Sequence, residues 1–285
     1  MPRPLTPSST PSTGFASQHI AVLGAGKIGT ILLQGLLKAG LPRERAFATV
    51  RHPDRASVVS TQLSLPVGTD NRAAASRADV ILICVKPQAV RDVLEEIREA
   101  VSPSKLVVSV AASVTTRHIE QALAGPVPVV RAMPNTPCVV GCGMTGLCRG
   151  AHASQADLET ARGLFETVGR TVFVDEKLMD AVTGLSASGP AFVYIILESL
   201  AEAGVKVGLP RDVATLLSAQ TLLGAAQVAL QTGDHPALLK DAVTTPAGCT
   251  IDGILELEEG KLRVTLIKAV VKATERAKQL MFEGQ

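Results

Sequence analysis

The stretch Ile20-Ala-Val-Leu-Gly-Ala-Gly-Lys-Ile-Gly29 decides the fold of this 285-residue chain. Its first four residues form a short apolar run with the length and composition of a buried strand. The pattern Gly-x-Gly-x-x-Gly follows at once, and apolar residues at helical spacing continue to Leu36. A strand, a glycine turn and a helix in this order are typical of a dinucleotide-binding unit.

Each of the three glycines has its own predicted role. Gly24 allows the tight turn, Gly26 lets the main chain approach a pyrophosphate, and Gly29 lets the helix pack closely on the strand. The phosphates are then expected on free N–H groups at the N-terminus of the helix. A glycine turn that binds nothing is the alternative, and the flanking strand and helix argue against it.

Apolar and amphipathic segments alternate through the first part of the chain. Residues 79–85 form a continuous apolar run, as in a parallel strand covered on both faces, and residues 87–100 carry one apolar stripe and predict a helix. Residues 51–54 are interpreted as the opening of a loop. The alternation predicts an α/β fold with a Rossmann-type, doubly wound parallel sheet. Further strands are predicted at 45–50, 105–110, 127–131, 143–149 and 171–174, and further helices at 73–78, 115–123 and 154–167.

The pattern changes near residue 177, after which only helices are predicted. Residues 191–207 and 213–230 are apolar almost all the way round, so these helices must be buried on every side. A second copy of the chain would supply that cover, which predicts a C-terminal all-helical dimerisation domain. The predicted domains are a disordered tail (1–17), an NADP(H)-binding domain (18–176) and a helical dimerisation and substrate domain (177–285).

Composition excludes several classes of protein. The formal net charge of +2 gives no electrostatic argument for nucleic acid or an acidic membrane. The five cysteines have no paired spacing and no histidine at ligand-like spacing, so we expect no metal site and a reducing, cytoplasmic setting. No apolar run reads as both long enough and uncharged enough to span a bilayer.

The residue after the second strand selects the nucleotide in a Rossmann domain. An acidic residue there binds a free ribose 2′-hydroxyl, whereas a basic one accommodates a 2′-phosphate. Here the strand is followed by Arg51, with no carboxylate until Asp54. Arg51 is either a ligand of the 2′-phosphate or a solvated loop cation. The sequence therefore favours NADPH, with NADH as the alternative.

Two loops at carboxyl ends of predicted strands are expected near the nicotinamide, because ligands of open α/β sheets bind at that edge. They are residues 85–87 and 111–113. Lys86 is a candidate general acid, but Pro87 after it also fits a loop that only packs on the nicotinamide. Both interpretations stay open.

Five motifs occur along the chain in a fixed order. They are Gly24-x-Gly-x-x-Gly29, Val85-Lys-Pro-Gln88, Arg131-Ala-Met-Pro-Asn-Thr-Pro137, Gly184-Leu-Ser-Ala-Ser-Gly-Pro190 and Asp241-Ala-Val-Thr-Thr-Pro-Ala-Gly-Cys-Thr250. Together they resemble the pyrroline-5-carboxylate reductase family, over about residues 19–280. That family reduces the cyclic imine 1-pyrroline-5-carboxylate to L-proline, the last step of proline biosynthesis, with a Rossmann domain and interlocking helical domains in dimers that often form decamers. The resemblance implies that the substrate lies between one subunit's nucleotide domain and its partner's helical domain.

The resemblance also implies the site residues. The catalytic candidates are Thr250 and Lys86. The expected nucleotide contacts are Gly24, Ala25, Gly26, Lys27, Ile28, Arg51, Asn71, Val85, Lys86, Pro87, Ala111, Met133 and Asn135. The expected substrate contacts are Thr245, Ala247, Gly248, Cys249 and Thr250.

The stretch 245–250 enters a predicted helix, whose N–H groups and dipole suit a substrate carboxylate. Thr250 either caps that helix or binds near the ring nitrogen. Two positions depart from the family pattern. Relatives often have serine or asparagine at the position of Arg51, and a glycine is common at the position of Ala247. A protonated imine is already electrophilic, so the reaction needs orientation and a dry site more than a strong acid.

Three rival functions remain. A β-hydroxyacid dehydrogenase would need a lysine on the long helix entering the second domain, and residues 181–194 contain none. A reductase of another cyclic imine would share the fold. A non-catalytic NADP(H) sensor would not need the motif at 244–250. His235, which precedes a proline, is interpreted as a surface or capping residue.

Overall fold

The computed structural model describes residues 13–283, which form two compact units. One unit comprises residues 13–188 together with residues 272–283, and the other comprises residues 189–271. The chain therefore leaves the first unit once and returns to it for the end of its last helix.

The first unit is built on one eight-stranded sheet. The strands are β1 (Ile20–Leu23), β2 (Ala46–Thr49), β3 (Val67–Gly68), β4 (Val80–Ile83), β5 (Leu106–Ser109), β6 (Val129–Met133), β7 (Gly143–Arg149) and β8 (Gly169–Phe173). Their order in the sheet is β3-β2-β1-β4-β5-β6-β7-β8, and every neighbouring pair is parallel except β6 and β7, which are antiparallel. The order 3-2-1-4-5-6 is that of a Rossmann fold, so the predicted sheet is confirmed.

The central strands are buried on both faces, as their uninterrupted apolar sequences require. Every residue of β1, β4, β5 and β6 is buried. The helices of this unit are α1 (Lys27–Lys38), α2 (Pro53–Leu63), α3 (Asn71–Arg77), α4 (Val90–Ile97), α5 (Thr116–Ala122), α6 (Gln155–Glu166) and α7 (Met179–Val182). Two apolar clusters lie on opposite sides of the sheet, one around α1 and α6 and the other around α3, α4 and α5.

Two sequence expectations for this unit were wrong. Residues 51–54 do not open a loop after β2, because α2 begins at Pro53, whose fixed φ suits a first helical turn. The predicted tail extends too far, because Thr13–Ser17 forms a 3₁₀ turn and Phe15 is buried in the core. Residues 1–12 of that tail lie outside the described residues.

The second unit is wholly helical, and residues 177–283 contain no strand, as predicted. A π-helical turn at Thr183–Ala187 directly precedes its first helix. The helices are α8 (Gly189–Lys206), α9 (Arg211–Thr232), α10 (Pro236–Val243), α11 (Cys249–Glu259) and the first half of α12 (Leu262–Glu283).

Apolar side chains remain exposed all round the helices of this unit in the single chain. Tyr194, Ile195 and Leu216 are between 61% and 70% exposed. The helices Glu176–Lys206 and Arg211–Thr232 are long and apolar enough, by length and composition, to cross a membrane. The expectation that no segment meets this criterion was wrong.

A buried arginine joins the sheet to the segment before α7. Arg131 of β6 is 2% exposed, and its guanidinium lies 3.6 Å from Glu176 and 3.7 Å from Asp180. Glu176 also accepts hydrogen bonds from the N–H and the hydroxyl of Thr116, each 2.7 Å long. The charges therefore compensate one another inside the first unit, and removing one would leave the others desolvated and unpaired.

We expect Arg131→Met to lower the free energy of unfolding by about 3–5 kcal/mol, because it leaves two carboxylates without their cation. Arg162→Met is the matched control, since Arg162 pairs with Glu159 at 3.0 Å on the surface, where such pairs contribute less than about 1 kcal/mol. Denaturant unfolding of both variants at one protein concentration measures the difference. Equal losses would contradict the buried network.

Candidate active site

The glycine turn after β1 has the geometry that a diphosphate requires. Gly24 has φ +88°, and a Cβ there would lie 2.5 Å from Val85 Cγ1. A Cβ on Gly29 would lie 2.7 Å from the Gly24 carbonyl oxygen, so α1 can approach β1 only with glycine. At Gly26 a Cβ would meet no protein atom within 4 Å. Gly26 therefore has no packing reason to be glycine, and its bare backbone faces space that a ligand can fill.

The end of β2 holds this turn in place. The Thr49 carbonyl accepts hydrogen bonds from the N–H groups of Gly24 (3.1 Å) and Ala25 (2.7 Å). The Thr49 hydroxyl donates to the side-chain oxygen of Asn71 (2.6 Å), and the Asn71 amide donates to Glu96 (2.6 Å). Asn71, expected as a nucleotide contact, thus supports Thr49 in this structure.

A cavity of about 580 Å³ opens over the glycine turn. The ends of β1, β2 and β4 meet there, at the point where the strand order reverses and open α/β sheets bind ligands. Of the expected nucleotide contacts, the structure brings Gly24, Ala25, Gly26, Arg51, Val85 and Lys86 together here. The cavity is lined by Gly24, Ala25, Gly26, Val50, Arg51, His52, Arg55, Cys84, Val85, Lys86, Gln88, Ala89 and Asp92.

One wall of the cavity carries two arginines and a histidine at the start of α2. Arg51 precedes the helix, His52 is its N-cap residue and Arg55 lies in its first turn. Pro53 has no N–H and the Arg55 N–H donates to the His52 carbonyl (3.0 Å), so the two guanidinium groups, and not the start of the helix, give this wall its affinity for an anion. Arg51 was predicted from the sequence as a nucleotide contact, whereas His52 and Arg55 were not. Pro53 was the available signal that a helix starts there.

The opposite wall belongs to the loop after β4. Lys86 is exposed, lines the cavity and precedes a 3₁₀ turn at Pro87–Ala89. Burial raises the pKa of the neighbouring Cys84 thiol to about 12, so this thiol is protonated and not nucleophilic near neutral pH. Lys27 and Ile28, which begin α1, are not among the lining residues.

The residues expected near the nicotinamide lie after β5 and β6. Ala111 and Met133 are buried, at 2% and 4% exposure. The Asn135 side chain accepts a hydrogen bond from the Met144 N–H (2.9 Å) and donates to the Ser186 carbonyl (3.2 Å). None of these three residues lines the 580 Å³ cavity. Asn135 instead binds β7 to the π-helical turn.

The expected substrate motif forms a tight turn before α11. The Gly248 N–H donates to the Thr245 carbonyl (3.0 Å), and Ala247 between them has φ +58°. A Cβ on Gly248 would lie 2.4 Å from Thr245 Oγ1, so a side chain at this position would displace that of Thr245. The proposed capping role of Thr250 is wrong, because Gly248 is the N-cap residue and Thr250 is the second residue of the helix. No side chain caps α11.

Other residues singled out from the sequence have structural roles. His235 is the N-cap residue of α10, and its Nδ1 accepts the Ala237 N–H at 3.2 Å, as interpreted from the sequence. Within residues 13–283, no group of three histidine, cysteine, aspartate or glutamate side chains is placed to hold a metal ion. All five cysteines are free thiols.

Comparisons with known proteins agree with this geometry. Residues 176–280 match the family model described as pyrroline-5-carboxylate reductase dimerisation, and residues 19–113 match the model described as NADP oxidoreductase, coenzyme F420-dependent. Pyrroline-5-carboxylate reductase of Methanosarcina acetivorans is 43% identical over 93% of this chain and 98% of its own. The Pisum sativum enzyme is 39% identical over 93% of this chain and 96% of its own.

Solved structures give the same result. A pyrroline-5-carboxylate reductase from Coxiella burnetii has a TM-score of 0.87 at 36% identity, covering 93% of this chain and 98% of its own. The Plasmodium falciparum pyrroline carboxylate reductase, solved with NADP bound, has a TM-score of 0.84 at 30% identity, covering 94% and 100%. The chain described here belongs to the pyrroline-5-carboxylate reductase family.

Proposed function

We propose that this protein reduces 1-pyrroline-5-carboxylate to L-proline with NADPH. The proposal rests on the presence of two different structural features in one chain of this family. One is the nucleotide cavity over Gly24–Gly26, and the other is the closed turn at Thr245–Gly248 that begins α11. A nucleotide sensor would need only the first of them.

The nucleotide cavity fits NADPH better than NADH. Gly26 offers open backbone for the diphosphate, and Arg51 and Arg55 lie on the wall where the adenosine ribose belongs. A guanidinium forms paired hydrogen bonds with a phosphate, so these two arginines suit the 2′-phosphate of NADPH. NADPH, when bound, supplies the hydride.

The turn before α11 fits the other end of the reaction. Its helix start has no side-chain cap, so main-chain N–H groups of residues 249–251 are available for a carboxylate. The iminium carbon of the substrate accepts a hydride, and the electron pair of the C=N bond moves to nitrogen, which gives the amine of proline. The protein's part is to orient the ring and exclude water, and Thr250 is close enough in sequence to bind near the ring nitrogen.

Self-association completes the helical unit. The family model matched at residues 176–280 is a dimerisation model, and the apolar faces of α8 and α9 are exposed in the single chain. We propose a homodimer that buries these faces in the cytoplasm, where the five free thiols stay reduced. Light scattering after gel filtration distinguishes this dimer from a decamer.

Gly248→Ala tests the proposed substrate turn. The wild-type protein should oxidise NADPH when 1-pyrroline-5-carboxylate is added and release L-proline. The added methyl group displaces Thr245 and the helix start, so we expect the KM for the imine to rise at least about 10-fold, since one charge-assisted hydrogen bond contributes about 1.5–3 kcal/mol. The dissociation constant of NADPH should not change.

Gly253→Ala is the matched control, because its Cβ would meet nothing within 4 Å on the same helix. Its kinetics should equal those of the wild type. A wild-type protein that binds NADPH tightly without oxidising it would instead support the sensor. Turnover of a six-membered cyclic imine alone would support the other imine reductase.

Arg51→Ala and Arg55→Ala test nucleotide selection. Each removes a charge-assisted contact to the 2′-phosphate, so each should raise the KM for NADPH about 10-fold or more. The KM for NADH should stay constant, because NADH has no phosphate at that position. Steady-state kinetics with both nucleotides measure the ratio.

Arg91→Ala is the control for those variants, since Arg91 is 79% exposed and pairs with Glu95 on α4. It should leave both KM values unchanged. An equal rise of the two KM values in Arg51→Ala or Arg55→Ala would contradict the assignment of the 2′-phosphate to this wall.

A further inference from the structure

Ser113 combines an unfavourable backbone conformation with a long-range contact. It follows β5 at the carboxyl edge of the sheet, two residues after Ala111. Its φ is +62°, a left-handed conformation that L-residues other than glycine rarely adopt. Such a conformation persists only where the surrounding structure holds it, and it is often found at functional sites.

The Ser113 side chain shows what holds it. The residue is 7% exposed, and its hydroxyl donates a hydrogen bond of 2.9 Å to the main-chain carbonyl of Ala277, which lies 164 residues later in α12. Ala277 is itself 5% exposed. Glycine would adopt the backbone conformation without strain but could not make this bond. Serine therefore differs from glycine at this position chiefly by the hydroxyl that makes the hydrogen bond.

Ala112, which precedes Ser113, is held by packing against a small apolar cluster. Ala112 packs against the cluster formed by Met133, Cys148 and Met179. The segment Ala111–Ser113 is thus held between this cluster and the last helix, and both lie in the first unit of the structure. The end of α12, which returns to this unit, contacts the loop expected beside the nicotinamide.

We propose that Ser113 is a positioning residue for hydride transfer. Its hydrogen bond to the Ala277 carbonyl lets α12 fix the conformation of the loop between β5 and α5. That loop in turn fixes the orientation of the nicotinamide ring. This inference rests on the proposed function. Ser113 touches neither substrate nor the reacting atoms in this account, and it acts through the backbone of Ala111 and Ala112.

Ser113→Gly separates this role from a structural one. The variant relieves the left-handed strain and removes the hydroxyl, so its thermal midpoint should equal or exceed that of the wild type. We expect kcat to fall about 10-fold, because small displacements of reacting groups slow transfer strongly. The dissociation constant of NADPH should not change. The primary kinetic isotope effect with NADPH deuterated at the transferred position should rise, because hydride transfer becomes rate-limiting.

Ser64→Gly is the matched control. Ser64 also has a positive φ, +52°, but it is an exposed residue at the end of α2. Its variant should keep the wild-type kcat and isotope effect. Ser113→Ala, which keeps the strain and loses the bond, should lower both kcat and the thermal midpoint.

Wild-type kcat and isotope effect in Ser113→Gly would overturn the inference and leave the proposed function intact. Absence of imine reduction by the wild-type protein would instead overturn the proposed function. The two failures are therefore distinguishable in one set of assays.

Discussion

The two hydrogen bonds that the Thr49 carbonyl accepts from Gly24 and Ala25 are the constraint on which the nucleotide site depends. They tie the end of β2 to the turn after β1. The N–H groups of Gly24 and Ala25 are therefore already hydrogen-bonded within the protein. Asn71 and Glu96 extend this arrangement through the Thr49 hydroxyl. The turn is consequently held from the side, and the start of α1 is left free for an anion.

The sheet could be predicted because its information is local. Each central strand is an apolar run that only a covered parallel sheet accommodates, and the three glycines mark the turn by their spacing. Observed strands end within a few residues of the predicted bounds. Right-handed crossovers limit the possible strand orders, but the observed order was not itself predicted from the sequence.

The features that sequence missed depend on tertiary contacts. Arg131 looks like an ordinary motif residue until Glu176 and Asp180 are seen beside it. Arg55 becomes a cavity residue only because α2 starts at Pro53 and turns it toward the glycine loop. Nothing near Ser113 in sequence predicts a partner 164 residues away.

The apolar composition of the second, helical unit was the basis for predicting self-association. Its apolar helices were expected to need a partner, and the dimerisation family match at residues 176–280 supports self-association. The same apolar character also satisfies a membrane-span criterion based on length and hydropathy. Those two interpretations differ in what covers the exposed faces, and the dimerisation family match favours the first.

The central claim is that the open backbone at Gly26 is the place of the nucleotide diphosphate. Gly26→Ala tests it most directly, because a methyl group there meets no protein atom within 4 Å but would occupy the ligand's space. We expect the thermal midpoint to stay unchanged and calorimetry to show NADPH binding weakened at least about 10-fold, since the phosphates can no longer approach the helix N–H groups. Unaltered affinity for NADPH in a folded Gly26→Ala protein would contradict it.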